Sequence, residues 1–372
     1  MFRRRMINVL DPQVIKGFEI IWVWGVSALN DAEYSLISAS VLSFISAYLM
    51  TPIFIRFMRA TGIVGRDIMK EGQPKVADMG GPGVIVGFLT GIFFYIGVQI
   101  FIFRGLPRLI DILACISTIL IITLIGIFDV LTALMEQREG RGVFEKMKRR
   151  GIPGWLYFLI PLPAAVPLVA VNAGVKHMTL PFLGRIELGL LYPLILIPLA
   201  LLCCSNATNF LAGFNGLEAG MGFILHLSLG LYALHQGKQA AAVIALTFAA
   251  SLLAFLRYNW YPAQIFPGDL NYTIGAVCVC VTVVGNMERF AILCFTPWIV
   301  EAFLKARSGF RAESYGVLQD DGATKPRKEE IYGLTHLVMR MGRLKEWQVS
   351  LTLIAFEVAV CAVAFISTLF GL

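Results

Sequence analysis

Asp129, Asn209 and Asp269 lie at the ends of apolar runs or in the short polar loops between them. Two carboxylates and an amide oxygen are hard donors. They suit Mg²⁺, with Mn²⁺ as the alternative, because such an ion takes few protein ligands and keeps places for water or a substrate phosphate. All seven cysteines lie in or beside apolar runs, and no His/Cys set with zinc-type spacing occurs. Lys70, Lys75, Arg138, Arg141, Lys325, Arg327 and Lys328 stand in loops of the same kind. Arginine grips phosphate oxygens through two N–H groups, and lysine acts as a point charge. A hard cation among basic side chains points to phosphoryl transfer.

The densest polar stretch is "NATNFLAGFNGLEAG", Asn206 to Gly220, set between two apolar runs. Three asparagines, a glutamate and several glycines exceed what a bare connection needs. Four other loops carry comparable clusters: "GRDIMKEGQPKVADMGGPG", "GIFDVLTALMEQREGRG", "FPGDLNYT" and "QDDGATKPRKEEIYGLTHLVMR". Taken singly, each has a plainer reading. An Asp at a helix end caps it, and "GGPG" makes a turn.

The elements that must position these residues follow from composition. The chain has 372 residues, 58% hydrophobic and only 15% charged, where a soluble domain carries about a quarter charged. Apolar runs of roughly 20 residues recur, the length that crosses a bilayer as a helix. In hydrocarbon every backbone polar group needs an internal partner, so the runs must be helical. The expected fold is an all-α polytopic integral membrane protein. Ten spans are expected near 35–58, 80–103, 109–128, 152–173, 188–205, 217–235, 239–256, 273–287, 290–306 and 349–371. They form one domain, 35–372, preceded by an interfacial segment, 1–34, with no cleavable signal peptide. A long basic loop occupies 307–348.

Loops after odd-numbered spans hold 19 Lys plus Arg, and loops after even-numbered spans hold 6. The positive-inside rule therefore turns the odd loops toward the cytoplasm; Arg3, Arg4, Arg5 and Lys16 oppose the resulting placement of the N-terminus. All five polar clusters then share the inner face, and basic residues there also follow from topology alone. "NAT" and "NYT" match the glycosylation pattern, which that face excludes. Gly83, Gly87 and Gly91 give one span a small face for close packing. Pro161, Pro163 and Pro167 should break another. A short β-hairpin is expected in the outer loop around Pro181 and Gly184. Glu301 and Glu357 fall within spans, where carboxylates serve function or helix pairing. The net charge of +7 fits anionic partners, lipid headgroups included, and no nucleic acid is expected.

These motifs resemble the polyprenyl-phosphate N-acetylhexosamine-1-phosphate transferases, from about Gly65 to the last span. "NATNFLAGFNGLEAG" is close to that family's Asn-x-x-Asn followed by Ala-Gly-x-Asn-Gly-Leu-Glu, in the archaeal and eukaryotic dolichyl-phosphate branch. "GRDIMKEGQPKVADMGG" and "FPGD" resemble its first inner loop and its Phe-x-Gly-Asp. The resemblance implies ten spans in an archaeal-type cell membrane, a cytoplasm-facing site, and transfer of GlcNAc-1-phosphate from a UDP-sugar to polyprenyl or dolichyl phosphate. UMP is released, and a homodimer fits as well. By matching position, Asp269 ligates the metal, Asn209 supports the metal–diphosphate region, and Asn215 reads the uracil edge with Glu218 ordering its loop. Arg327, Lys328 and His336 hold the diphosphate and sugar. Asn206 and Lys75 also match family positions.

Two departures matter. The family carries adjacent aspartates where this chain has Asp129 followed by Val130. The last inner loop lacks the triple-histidine run of the bacterial peptidoglycan enzyme. Val130 keeps open a catalytically silent relative that binds lipid phosphate or a partner protein. An unrelated transporter would instead place its substrate at the midplane, near Glu301 or Glu357.

Overall fold

The computed structural model describes residues 31–139, 158–174, 177–180, 184–268 and 270–369. Its helices are α1 (Asp31–Thr61), α2 (Gly81–Gly97), α3 (Leu109–Glu139), α4 (Val166–Ala170), α5 (Ile197–Phe210), α6 (Leu217–His235), α7 (Gln239–Asn259), α8 (Leu270–Gly285), α9 (Glu288–Cys294), α10 (Thr296–Ala306), α11 (Leu334–Met339) and α12 (Glu346–Leu369). Among the described residues, seven helical stretches are long and apolar enough to cross a membrane. They are Glu33–Thr61, Gly81–Ile102, Leu109–Leu131, Tyr192–Phe210, Leu217–His235, Gln239–Asn259 and Glu346–Thr368.

The other three expected spans differ for local reasons. Within 152–173 the described part holds short 3₁₀ turns, Leu162–Ala165 among them, and the five-residue α4, and no long helix. Pro161, Pro163 and Pro167 remove backbone donors and crowd the preceding turns. The run 290–306 is split at Phe295 into α9 and α10, and Pro297 opens α10. Helix α8 has 16 residues, about 24 Å of helix at 1.5 Å per residue, less than the ~30 Å hydrocarbon core. The expected interfacial segment lies outside the described residues as far as Asn30.

The glycine face of α2 packs on α1. A Cβ on Gly83 would stand 3.0 Å from Thr51 Oγ1, and one on Gly87 would stand 2.8 Å from the Ser43 carbonyl. One on Gly91 would overlap Ser43 Oγ and the Ala39 carbonyl. Steps of four along α2 thus meet steps of four backward along α1, as in an antiparallel pair. Lipid gives no hydrophobic drive between helices, so close van der Waals packing of this kind holds them. Helix α7 packs on α1, α2 and α6, and α8 packs on α3 and α5. An apolar groove of about 530 Å³ runs between α5, α8, α9 and α10. Tyr192 and Glu288, hydrogen-bonded to each other, mark one end; Ala207 and Phe310 mark the other.

Among the described residues, three antiparallel ribbons lie in the connections. Strand β1 (Val64–Arg66) pairs with β2 (Lys75–Ala77), β3 (His177–Leu180) with β4 (Gly184–Glu187), and β5 (Gly316–Leu318) with β6 (Thr324–Pro326). The first and third sit in the polar loops and shape the cleft described next.

Candidate active site

Loops far apart in sequence meet at one end of the bundle around a cleft of about 270 Å³. Arg66, Asp67 and Asp78 come from the first polar loop, Gly213, Asn215 and Glu218 from the third, and Phe266, Gly268 and Asn271 from the fourth. Tyr315 comes from the last. The β1–β2 ribbon is tied to the fourth loop by Phe266 N–H to the Ala77 carbonyl at 2.8 Å and Gly80 N–H to the Phe266 carbonyl at 2.9 Å. Two glycines are needed where the chains touch. Gly213 has φ +111° and the Tyr315 ring lies against it; Gly268 has φ +55°, and a Cβ there would stand 2.9 Å from Asp78 Oδ1. Side chains with a Cβ strain at such φ.

Three buried oxygens facing this cleft have no hydrogen-bond partner among the described residues: Glu218 Oε2, Asn259 Oδ1 and Asn271 Oδ1. Buried acceptors are normally satisfied. Their grouping around one cleft makes it the candidate place for a ligand bearing N–H or O–H groups, or for a cation. Phe266 adds a flat apolar wall. Asp78 accepts from Met79 N–H at 2.8 Å; burial raises its carboxyl pKa above the ordinary value, and the Met79 contact opposes that rise.

Beside the cleft, Asp129 and Asn209 come together through Tyr272 in α8. Asn209 Nδ2 donates to the Tyr272 hydroxyl at 3.0 Å, and Tyr272 is hydrogen-bonded in turn to Asp129. Asn271 Nδ2 reaches Asn209 Oδ1 at 3.5 Å, which links this chain of groups to the cleft. The Asp129 carboxylate and the Asn209 amide oxygen, brought together by Tyr272, are hard donors of the kind Mg²⁺ takes. No cluster of three or more His, Cys, Asp or Glu occurs among the described residues. Asp269 lies outside them, between the described Gly268 and Leu270.

Several residues singled out in the sequence occupy other places. Asn215 is 4% exposed and fully engaged as a donor. Its Nδ2 donates to Asp67 Oδ2 at 3.1 Å and to Glu346 Oε1, while its Oδ1 accepts from Ala263 N–H at 3.0 Å. No free amide N–H remains to read a uracil edge; the residue knits three loops together. Lys70 completes the knot, donating to Asp67 at 2.8 Å and Glu346 at 2.6 Å. Glu218 Oε1 accepts from Gly213 N–H at 2.6 Å and so orders its own loop. Asn206 donates to the Phe158 and Leu202 carbonyls at 3.0 and 2.8 Å, which makes it a helix tie.

His336 is 2% exposed, with both ring nitrogens on backbone. Nε2 donates to the Glu313 carbonyl at 2.8 Å, and Nδ1 accepts from Tyr332 N–H at 3.3 Å. This is the neutral imidazole, and burial lowers its pKa, partly offset by the Glu313 carbonyl. It holds the loop and presents nothing to a sugar. Arg327 pairs with Glu313 at 2.8 Å and, with Lys328, lines a separate basic depression that includes Lys325, Arg340 and Arg343. Lys75 is exposed on β2 opposite Arg66. The side chain of Arg138, and Arg141, lie outside the described residues. The sequence reading passed over Asp78, Asn259, Phe266, Tyr272, Tyr315 and Glu346. Asp78, Phe266 and Tyr272 lie within the quoted motifs, which was the signal available for them.

Comparison with known proteins agrees with this arrangement. The model of glycosyl transferase family 4 matches residues 112–286. A Saccharolobus solfataricus protein, provisionally named UDP-N-acetylglucosamine–dolichyl-phosphate N-acetylglucosaminephosphotransferase, is 35% identical over 88% of this chain and 94% of its own. A Sulfolobus acidocaldarius protein with the same provisional name is 30% identical over 87% and 94%. The Saccharomyces cerevisiae UDP-N-acetylglucosamine–dolichyl-phosphate N-acetylglucosaminephosphotransferase is 33% identical over 38% of this chain and 36% of its own.

Helices of membrane-spanning length together with relatives named as phosphotransferases define an integral membrane transferase. The chain belongs to glycosyl transferase family 4, among the polyprenyl-phosphate N-acetylhexosamine-1-phosphate transferases.

Proposed function

We propose that this protein transfers GlcNAc-1-phosphate from UDP-GlcNAc to a polyprenyl or dolichyl phosphate at the cytoplasmic face of the membrane. The carrying observation is the set of three orphan oxygens around the cleft, next to the Asp129–Tyr272–Asn209 chain. The substrates are those named for the relatives. Phe266 would face the uracil ring, and the orphan acceptors would take N–H and O–H groups of the nucleotide. The apolar groove would hold the prenyl chain, since Ala207 at its end lies one turn or less from Asn206 and Asn209.

An acceptor phosphate oxygen attacks the phosphorus that bears the sugar. That P–O bond forms as the bond from the same phosphorus to the UMP oxygen breaks, and UMP departs with the electron pair. The acceptor monoester has its second pKa near 6 and is mostly dianionic at pH 7. It needs no dedicated base, so alignment of the two substrates is the protein's main contribution. Asp129, Asn209 and Asp269 are the residues that would hold Mg²⁺, or Mn²⁺, which when bound offsets negative charge on the diphosphate. Tyr272 keeps Asp129 and Asn209 in register for that task.

One observation favours a second reading. Val130 stands where the family resemblance implies a second aspartate, and it packs against the apolar core. A silent relative would bind UDP-sugar without releasing UMP.

Purified protein in lipid should release UMP from UDP-GlcNAc plus polyprenyl phosphate, in the presence of Mg²⁺. Asp269→Asn should abolish release, and Val130→Asp should retain it. Binding of UDP-GlcNAc with no UMP across several UDP-sugars and acceptors would establish the silent reading instead.

A further inference from the structure

The geometry points to Lys305 and Glu301 as positioning residues that fix Tyr315 as a wall of the nucleotide cleft; this rests on the transferase reading above. Both lie on α10, one turn apart, outside the cleft, and both are buried. The Lys305 ammonium donates to the Ala312 carbonyl and to Ser314 Oγ, each at 2.7 Å, and stands 3.8 Å from Glu301 Oε1. Two of the three ammonium N–H groups are thus hydrogen-bonded, and Glu301 stands beyond hydrogen-bond reach as the counter-charge. Ser314 Oγ passes the constraint on, donating to the Phe210 carbonyl at 2.9 Å, the last residue of the helix that carries Asn209. Glu301 Oε2 accepts from Leu334 N–H at 2.6 Å, and Thr335 Oγ1 donates to the Ser314 carbonyl at 3.0 Å.

The next residue after Ser314 is Tyr315, whose ring lies on Gly213 and lines the cleft. A single buried ion pair therefore sets the distance between α10, the end of α5 and the only cleft wall supplied by the last loop. A buried ion pair is poor insurance for stability, because desolvation offsets most of its attraction. Its use here is to hold one geometry. The chain before it is exposed at Arg307 and Arg311, while His336 on the Glu313 carbonyl and the β5–β6 ribbon from Gly316 onward hold the loop on either side, so loss of the brace should loosen Tyr315 rather than free it.

The test compares Lys305→Met, Glu301→Gln/Lys305→Met and Tyr315→Ala in membranes of constant composition. The double variant removes both charges, so no uncompensated carboxylate is left to unfold the chain. KM for UDP-GlcNAc should rise about tenfold in both Lys305 variants, with kcat and the KM for lipid acceptor within about twofold, as expected for lost binding rather than lost chemistry. Tyr315→Ala should raise the same KM and add nothing when combined with the double variant, because the two act through one wall. Tryptic cleavage after Arg311 should quicken in both Lys305 variants. If neither folds, Ser314→Ala, which leaves the ion pair intact, should raise the nucleotide KM by about threefold. An unchanged nucleotide KM, equal losses for both substrates, or effects that multiply with Tyr315→Ala would overturn the proposal. If the wild type releases no UMP at all, the transferase reading fails, and cleavage after Arg311 decides the brace alone: an unchanged rate refutes it.

Discussion

Glu346→Gln should destabilise the protein by about 3 kcal/mol, although it changes one atom. Glu346 is 2% exposed and accepts from Lys70 Nζ at 2.6 Å, from Asn215 N–H at 2.9 Å and from the Asn215 side-chain amide. A carboxylate offers two acceptor oxygens; an amide offers one and turns the other into a donor. Whichever way the new amide is oriented, its NH₂ points at the Lys70 ammonium or at the two Asn215 N–H groups. A hydrogen bond to a charged group is worth about 1.5–3 kcal/mol, and an opposed, desolvated donor adds about 1–3 kcal/mol. Asp67 stays on Lys70 at 2.8 Å and softens the total toward the lower part of that sum. The assay is thermal unfolding in a fixed detergent, followed by tryptophan fluorescence. A shift of roughly 5 °C or more is expected from the usual scaling of melting temperature with free energy in a chain of this size. A shift under about 1 °C for Glu346→Gln would show that this knot is not the support of the cleft.

Tyr272→Phe removes the hydroxyl between Asp129 and Asn209; UMP release should fall about 10- to 100-fold and need more Mg²⁺, as when an outer-shell partner of a metal ligand is lost. Unchanged metal dependence would count against that role. His336 contributes to stability in its neutral form, because burial lowers its folded-state pKa below 6.5. That contribution is complete above pH 6.5 and is lost as pH falls through the folded-state value. The difference in unfolding temperature between wild type and His336→Gln should therefore be constant above pH 7 and shrink in acid. Gly91→Val overlaps Ser43 and the Ala39 carbonyl, and should cost about 1–3 kcal/mol, read as a lower yield of folded protein in detergent and a lower unfolding temperature.

What the sequence revealed were the features carried by neighbours in the chain. Apolar length made the long helices readable, and the four-residue glycine spacing marked the α1–α2 contact. Helix ends placed Asp129 and Asn209 at the same end of the bundle, where Tyr272 joins them. Breaks were harder to place, because Pro297 lies in a run as apolar as its neighbours, yet it splits α9 from α10. The cleft was legible as a collection of motifs and not as an assignment of roles. Asn215 looked free in the sequence because the residues that occupy it, Asp67 and Glu346, lie 148 and 131 positions away. His336 resembled a sugar ligand for a similar reason. Its ring is taken up by a carbonyl 23 residues upstream, a pairing that only the folded loop creates. The sequence raised two roles for Glu301 and Glu357, function or helix pairing. Glu301 proves to be tied to the first residue of the short helix α11 and to Lys305 on its own helix, and Cys361 donates its thiol to Glu357 within one helix.

The Asn215 knot has a consequence for synthesis. Glu346 opens the final helix, yet it supplies two of the bonds that set Asn215 and one that holds Lys70. A nascent chain that has inserted every earlier helix still lacks the keystone of its own nucleotide site. Competence should therefore arrive all at once, with the emergence of α12, and copies terminated before it should sit in the membrane without consuming sugar nucleotide.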